Sequence, residues 1–388
     1  MSGAALVGQE LTIGSAARTT FGAGSIARLP DAVKALGAGR VFLVTDAGLV
    51  AGGLAGGIAA RLGDAGLEVT VYSELRPNPA IEDIASGASA LRRFGQSVVV
   101  GLGGGTSLDG AKGISLAAAN DVPVRDLDYR RELPNPGLPV IAVPTTAGTG
   151  SETNSFGVIE DHEAARKFYI GNPSVLPRVV ILDPELTVGL PPAPTAATGM
   201  DALTHALESL MARQANPYSH GVALEVIRTV HAWLPVAVES GDDLEARAQM
   251  LLAAHLAGLA FANTGLGLAH ALAHTLSAML GTVHGVALAV VLPAVLEFNF
   301  DSRTTELVEA AQAMGAHATG KNMAASAAIQ LVAALRTRLR MPSTLSEVGM
   351  EGGMVARLVD GALDDVVLAN NPVQPERGQL EDLVRSLL

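Results

Sequence analysis

Asp201 and His205 stand four residues apart in GMDALTHALES (199–209), and His270 and His274 four apart in GLAHALAHTLSAMLGTVHG (267–285). On a helix that spacing puts both members of a pair on one face. His284 follows ten residues after His274, at the expected start of the next helix. One carboxylate with several imidazoles suits a divalent first-row cation such as Fe(II) or Zn(II). With only three or four protein ligands, a coordination position stays open for substrate. Taken singly, a histidine on an Ala-rich helix is more readily a cap or a surface group. The set of Asp201, His205, His270 and His284 lies inside apolar runs, where uncompensated polar groups are costly and usually have partners. The other five histidines, His162, His220, His231, His255 and His317, are scattered.

A second chemistry is written in VVVGLGGGTSLDGAK (98–112), which reads as a strand, a glycine turn and a helix start. Gly103, Gly104 and Gly105 let a ligand's phosphates approach the backbone, and Thr106 or Ser107 is expected to cap the helix. The helix N-terminus then faces an anion, and a dinucleotide pyrophosphate is the natural occupant. A tight turn without a ligand is the competing reading, because this is not the GxGxxG fingerprint. The loop PTTAGTGSETN (144–154) also follows a strand and offers hydroxyls at Thr145, Thr146, Thr149 and Ser151. Two such loops at the carboxyl ends of two strands would share one crevice. Asp46 ends another strand, where a carboxylate can accept from a ribose diol and repel a 2′-phosphate. That favours NAD over NADP, unless Asp46 is an ordinary turn or cap residue.

Five runs must carry these loops: 40–46, 67–74, 97–102, 139–144 and 178–183. Each is short, apolar and β-branched without alternation, as parallel strands covered on both faces are. Helical periodicity lies between them at 54–63, 81–94 and 108–119. The expected fold is an α/β doubly wound parallel sheet for residues 1–190. After the proline cluster at 191–194 the strand signals stop. Residues 191–388 read as an all-α domain, clearest at 195–213, 217–238, 244–262, 267–280 and 322–340.

Composition closes off other classes. With 26 Lys+Arg against 38 Asp+Glu, the net charge of −12 argues against nucleic-acid binding. The absence of cysteine removes disulfides, thiol catalysis and Cys-held metals. The first residues, MSGAALVGQE, show no signal peptide. The longest apolar run, 286–296, is 11 residues and contains Pro293, too short to span a bilayer. A cytoplasmic protein without a membrane partner is the expectation.

The motifs GGGTSLDGAK (103–112), PTTAGTGSE (144–152), ATGMDALTHALES (197–209) and AHALAHTLSAMLGTVHG (269–285) together resemble the iron-containing, or group III, alcohol dehydrogenase family. The resemblance runs from about Phe21 to the C-terminus. It implies a dehydroquinate synthase-like fold, with the active site in the cleft between an NAD-binding domain and a helical metal-binding domain. It assigns Asp201, His205, His270 and His284 as metal ligands, Fe(II) first and Zn(II) second. His274 matches a further active-site histidine, for which proton relay and support of the metal site are both open. Cofactor contacts would fall on Asp46, Asn78, Gly104, Gly105, Thr106, Ser107, Asp109, Thr145, Thr146, Thr149, Val158 and Lys167. Substrate-lining positions would be Phe156, Phe261 and Val367.

The implied reaction is metal-assisted, NAD(H)-linked interconversion of a small primary alcohol and its aldehyde, in a homodimer or larger homo-oligomer. Departures at Val283 before His284, at SETN (151–154) and at 365–372 bear on substrate choice. Two alternatives accompany this reading. One is reduction of an acidic substrate, of the maleylacetate type or a carboxylated or phosphonate aldehyde. The other is an NAD-using, metal-dependent lyase of the same fold. A non-enzymatic binding protein would hold neither NAD nor metal.

Overall fold

The computed structural model describes Ile13, Gly14, residues 17–161, Glu163 and residues 166–388. His162 and the stretch at 1–10, read above as showing no signal peptide, lie outside the described residues. Contacts divide the described residues into two compact units, 17–189 and 190–388, the latter joined by Ile13 and Gly14. Gly14 therefore belongs with the helical unit rather than with the sheet, its N–H donating to Asn263 Oδ1 at 2.8 Å.

The first unit holds β1 (Arg18–Phe21), α1 (Leu29–Ala35), β2 (Arg40–Val44), α2 (Ala47–Ala51), α3 (Leu54–Asp64) and β3 (Glu68–Tyr72). After these come α4 (Ile81–Phe94), β4 (Val98–Gly103), α5 (Gly105–Ala119), β5 (Val140–Pro144), β6 (Phe156–Asp161), β7 (Arg166–Gly171) and β8 (Val179–Leu182). Six strands make a sheet in the order β1-β8-β5-β4-β2-β3, every pair parallel. β6 and β7 pair separately as an antiparallel ribbon.

Each central strand is apolar throughout because it feeds two cores. On β2, Phe42 and Val44 pack on one face with Ile84, Leu91 and Ile114 of α4 and α5. Val41 and Leu43 pack on the other with Leu29, Val33, Ile58 and Leu62 of α1 and α3. Alternate residues of one strand thus serve opposite helical layers, which is the doubly wound arrangement. Chain direction across the sheet reverses between β2 and β4. That is the switch point, where α/β sheets open a crevice beyond their strand ends.

The second unit is built from α6 (Pro192–Met211), α7 (Pro217–Glu239), α8 (Leu244–Ala262), α9 (Leu268–Leu280) and α10 (His284–Phe298). It continues through α11 (Thr304–Ala313), α12 (Lys321–Arg338), α13 (Val355–Asp364) and α14 (Arg377–Ser386). Among its described residues there is no strand. The proline cluster becomes the first turn of α6, where a missing N–H costs nothing. Among the described residues, α7 alone is long and apolar enough to cross a membrane, but Ala223, Val226, Ile227, Val230 and Leu234 on it are buried within this unit.

Candidate metal centre and nucleotide loops

In the helical unit, α6 puts Asp201 and His205 one turn apart on a buried face. His205 Nε2 lies 3.3 Å from Asp201 Oδ1, His270 Nε2 lies 3.6 Å and His284 Nε2 3.8 Å from the same oxygen. Donor atoms of Asp201, His270 and His284 all fall within 4.8 Å of one another. His205 stands beside this trio, its ring stacked on that of His270 at 4.7 Å. Two donors held about 2.1 Å from one cation at tetrahedral angles would lie about 3.4 Å apart, so these separations are those of ligands around a shared centre. Asp201 Oδ1 and His270 Nε2 are buried and have no hydrogen-bond partner. Two buried polar atoms that face each other without a hydrogen bond fit joint coordination of a cation.

Electrostatics point the same way. Burial would raise the Asp201 carboxyl, yet His205 and the other imidazoles outweigh it and hold Asp201 well below the usual carboxylate range. Burial likewise opposes charge on His270, but Glu208 and Asp201 overrule it and push its imidazole up to about 9. The pocket of two buried carboxylates therefore prefers a positive charge at its centre.

Glu208 was not among the residues singled out from sequence. Its carboxylate accepts from the N–H groups of Gly267 (3.0 Å), Ala269 (2.7 Å) and His270 (3.4 Å). It also meets His270 Nδ1 at 2.6 Å. Asn371 Oδ1 takes the remaining N–H, that of Leu268, at 3.2 Å. The four N–H groups that a helix start leaves open are thus all met by buried side chains at α9. A carboxylate only accepts, so Nδ1 of His270 carries the proton and Nε2 is left to bind. Replacing Glu208 with Gln is expected to weaken metal binding about 10–100-fold with the fold intact, read by competition against a chelator.

His274 is on the same helix face as His270, and its ring stacks on that of His284 at 5.3 Å. Its Nδ1 lies 2.7 Å from Asp365 Oδ2, a second carboxylate the sequence did not flag. Asp365 Oδ1 accepts from the N–H of Val367, tying that position to the His274 side chain. Phe261 packs against His205 at 4.6 Å between ring centroids. Two of the three substrate-lining candidates thus border the histidine cluster, whereas Phe156 belongs to the nucleotide unit, edge-on to Tyr169.

In that unit the two small-residue loops lie side by side. β4 pairs with β5 so that Gly103 stands opposite Pro144, and Thr145 N–H donates to the Gly103 carbonyl at 3.0 Å. A Cβ on Gly104 would lie 3.2 Å from Thr146, and one on Gly105 3.0 Å from Thr149. Gly103 has φ 144°, and a Cβ there would meet Ser107 Oγ at 2.4 Å and Asp46 Oδ2 at 3.3 Å. Only glycine fits such a turn.

The expected cap is absent. α5 begins at Gly105 with Gly104 in the N-cap position, so Thr106 and Ser107 fall in its first turn and no side chain caps it. Ser107 Oγ is buried without a hydrogen-bond partner. An uncapped helix start beneath glycine backbone fits a pyrophosphate.

Asp46 serves two ends. Oδ1 caps α2 through the Leu49 N–H at 3.0 Å, while Oδ2 faces Gly103 across the switch point. Asp109 is engaged within the protein by the Val158 N–H at 3.0 Å, by Ser151 Oγ and by Lys112. Asn78 is exposed in a left-handed conformation (φ 53°). Its neighbour Pro79 accepts from Glu160 on the β6–β7 ribbon, and Lys167 lies opposite Glu160 there.

The chain is similar to known proteins over nearly its whole length. The description of iron-containing alcohol dehydrogenases fits residues 16–184, and that of the C-terminal part of the same family fits residues 195–388. The chain is 35% identical over 356 residues to an NAD-dependent methanol dehydrogenase of Bacillus methanolicus, covering 91% of this chain and 93% of the relative. It is 35% identical to a lactaldehyde reductase of Escherichia coli K12, covering 94% and 95%. The structure of a 1,3-propanediol oxidoreductase superposes with a TM-score of 0.95 at 34% identity, over 98% of this chain and all of the other. The chain belongs to the iron-containing alcohol dehydrogenase family and is a metal-dependent oxidoreductase acting on alcohols and aldehydes.

Proposed function

We propose that the protein interconverts a small primary alcohol and its aldehyde with NAD(H), using Fe(II) at Asp201, His205, His270 and His284. The observation that carries this is the buried, orphaned pair of Asp201 Oδ1 and His270 Nε2 beside His284 and His205. When bound, the cation supplies Lewis-acid polarisation of the substrate oxygen. Zn(II) suits the same donors, so the choice of iron follows the family. The glycine turn and the start of α5 hold the pyrophosphate, and Asp46 accepts from the adenosine ribose. His274, oriented by Asp365, moves the proton at Nε2. Phe261 and Val367 are apolar and buried, in keeping with an uncharged, small substrate. The relatives named for methanol, lactaldehyde and 1,3-propanediol support that size class.

The acidic-substrate alternative would need a cationic anchor. Arg76, Arg130 and Arg131, the loop arginines that could serve, already pair with Asp83, Asp128 and Asp126. A cytoplasmic homodimer or larger homo-oligomer is part of the same proposal and rests on the family resemblance.

An aldehyde panel with NADH and NADPH, run on iron- and zinc-loaded protein, tests the reading. Oxidation of NADH by short aldehydes, fastest with iron, is expected. Metal-dependent product formation without net change in NADH absorbance would instead reveal a lyase. Asp46→Ala is expected to improve the KM for NADPH by about tenfold or more, since it removes a like charge facing the 2′-phosphate. The same change weakens NADH binding and removes the α2 cap, at about 1 kcal/mol.

A further inference from the structure

Asn371 is buried and spends its whole amide inside the protein. Its Oδ1 accepts from the Leu268 N–H (3.2 Å) and from Asn299 Nδ2 (3.2 Å). Its Nδ2 donates to Asn299 Oδ1 (3.0 Å) and to the Val373 carbonyl (2.6 Å). An amide has two lone pairs and two protons to share, so all are used here; aspartate lacks the protons and leucine lacks both. Asn299 is also buried and directly follows α10, so the reciprocal pair joins the end of α10 to the start of α9.

The same stretch of chain meets α9 a second time. Asp365 Oδ2 lies 2.7 Å from Nδ1 of His274, while Asn371 holds the N–H of Leu268 at the helix start. Residues 365–371 therefore run antiparallel to 268–274 and are fastened at both ends. Between the fastenings lies a short helical turn, Val366–Asn370, with Val367 and Leu368 buried. The Val367 N–H returns to Asp365 Oδ1 at 3.1 Å. Gln374 Nε2 closes the stretch from outside, on the carbonyls of Leu368 (2.9 Å) and Asn371 (3.0 Å). Apolar contacts at Val367 and Leu368 would tolerate a slip along α9, whereas a fully bonded amide pair would not. A buried polar group is weak evidence for stability, and its best-attested use is to fix one register among several.

We infer that Asn371, held by Asn299, is a positioning residue for the substrate wall. It sets the register of 365–371 on α9, and with it both Val367 and the Asp365 carboxylate that orients His274. The inference rests on the reading that Val367 lines the substrate site and His274 moves the proton.

The test is Asn371→Ala, assayed for steady-state kinetics and for backbone deuterium uptake on the same metal-loaded sample. The KM for alcohol is expected to rise and kcat to fall by about tenfold each, the scale of a misplacement of about 1 Å. Uptake across 365–374 is expected to quicken by about tenfold, as a local fastening is lost. Bound metal and the NADH Kd stay at parental values, because Glu208 keeps the N–H groups of Gly267, Ala269 and His270. Val332→Ala, buried on α12, is the control and is expected to lower Tm with KM, kcat and this uptake unmoved. A folded Asn371→Ala protein with parental KM and kcat overturns the inference, as does one whose losses follow a loss of metal. Should that variant fail to fold, Gln374→Ala loosens the same stretch from an exposed position. It is expected to move KM, kcat and uptake the same way by about twofold or more, and parental values there overturn the inference equally. A parent protein that turns over no alcohol or aldehyde counts against the dehydrogenase reading instead, and uptake across 365–374 then decides whether Asn371 holds the register.

Discussion

Replacing His270 with alanine is expected to yield a folded protein that binds NADH but retains almost no metal and loses activity by at least about three orders of magnitude. The fold should survive because the Glu208 carboxylate keeps its backbone donors at Gly267 and Ala269 when the imidazole is gone. Metal is lost because His270 Nε2 is one of the three donors that converge within 4.8 Å. The buried Asp201 carboxylate loses one close positive partner but keeps His205 at 3.3 Å and His284 at 3.8 Å, so it stays paired. Elemental analysis after dialysis, beside an NADH titration, checks both halves. A variant that keeps stoichiometric metal would remove His270 from the ligand set.

The second large effect is expected at His274. Alanine there should leave the metal in place and lower kcat by about 10²–10⁴-fold, the usual range for loss of a positioned acid or base. The geometry sets it beside the ligands: Nε2 of His205, His270 and His284 lies 3.3, 3.6 and 3.8 Å from Asp201 Oδ1, whereas His274 meets Asp365 through Nδ1 at 2.7 Å. If its part is proton transfer, kcat falls while the KM for alcohol changes little, and added small amines or imidazole restore part of the rate. A variant with normal turnover but halved metal occupancy would make His274 a support of the metal site instead. Either result is decided by measuring kcat and metal content on the same sample.

Legibility in the sequence followed burial. The strands β2, β3, β4, β5 and β8 could be read directly, because four of them lie deep between helices and β3 still carries a run of β-branched residues. β1 could not: Arg18, Thr19 and Thr20 are polar, and the strand sits at the sheet edge, where no continuous apolar run is required. Nor was the β6–β7 ribbon read: on β6 buried and half-buried residues alternate and the strand ends in Glu160 and Asp161, so no continuous apolar run marks it. The short helices α11, α13 and α14 offered too few turns for a confident period.

In the centre itself the imidazoles were conspicuous because they interrupted apolar runs. Glu208, Asp365 and Lys112 were not, since charged residues on helices or in loops ordinarily face water. Only packing reveals that Glu208 and Lys112 are buried and what each one holds. Three residues after His205, a Glu in an otherwise apolar helix was the available signal. Asn371 was visible only as part of an Asn-Pro pair, and its bond to the start of α9 spans 103 positions.

That long-range bond has a consequence for biogenesis. Every strand pairing of the nucleotide unit closes by Leu182, so this unit can settle while translation continues. The start of α9 is complete only once Asn371 has been made, 182 residues beyond Gly189. At ordinary elongation rates that delay is roughly 10–35 s. The nascent chain would therefore acquire its nucleotide-ready half well before it could retain a metal ion, and metallation is the late step in making this enzyme.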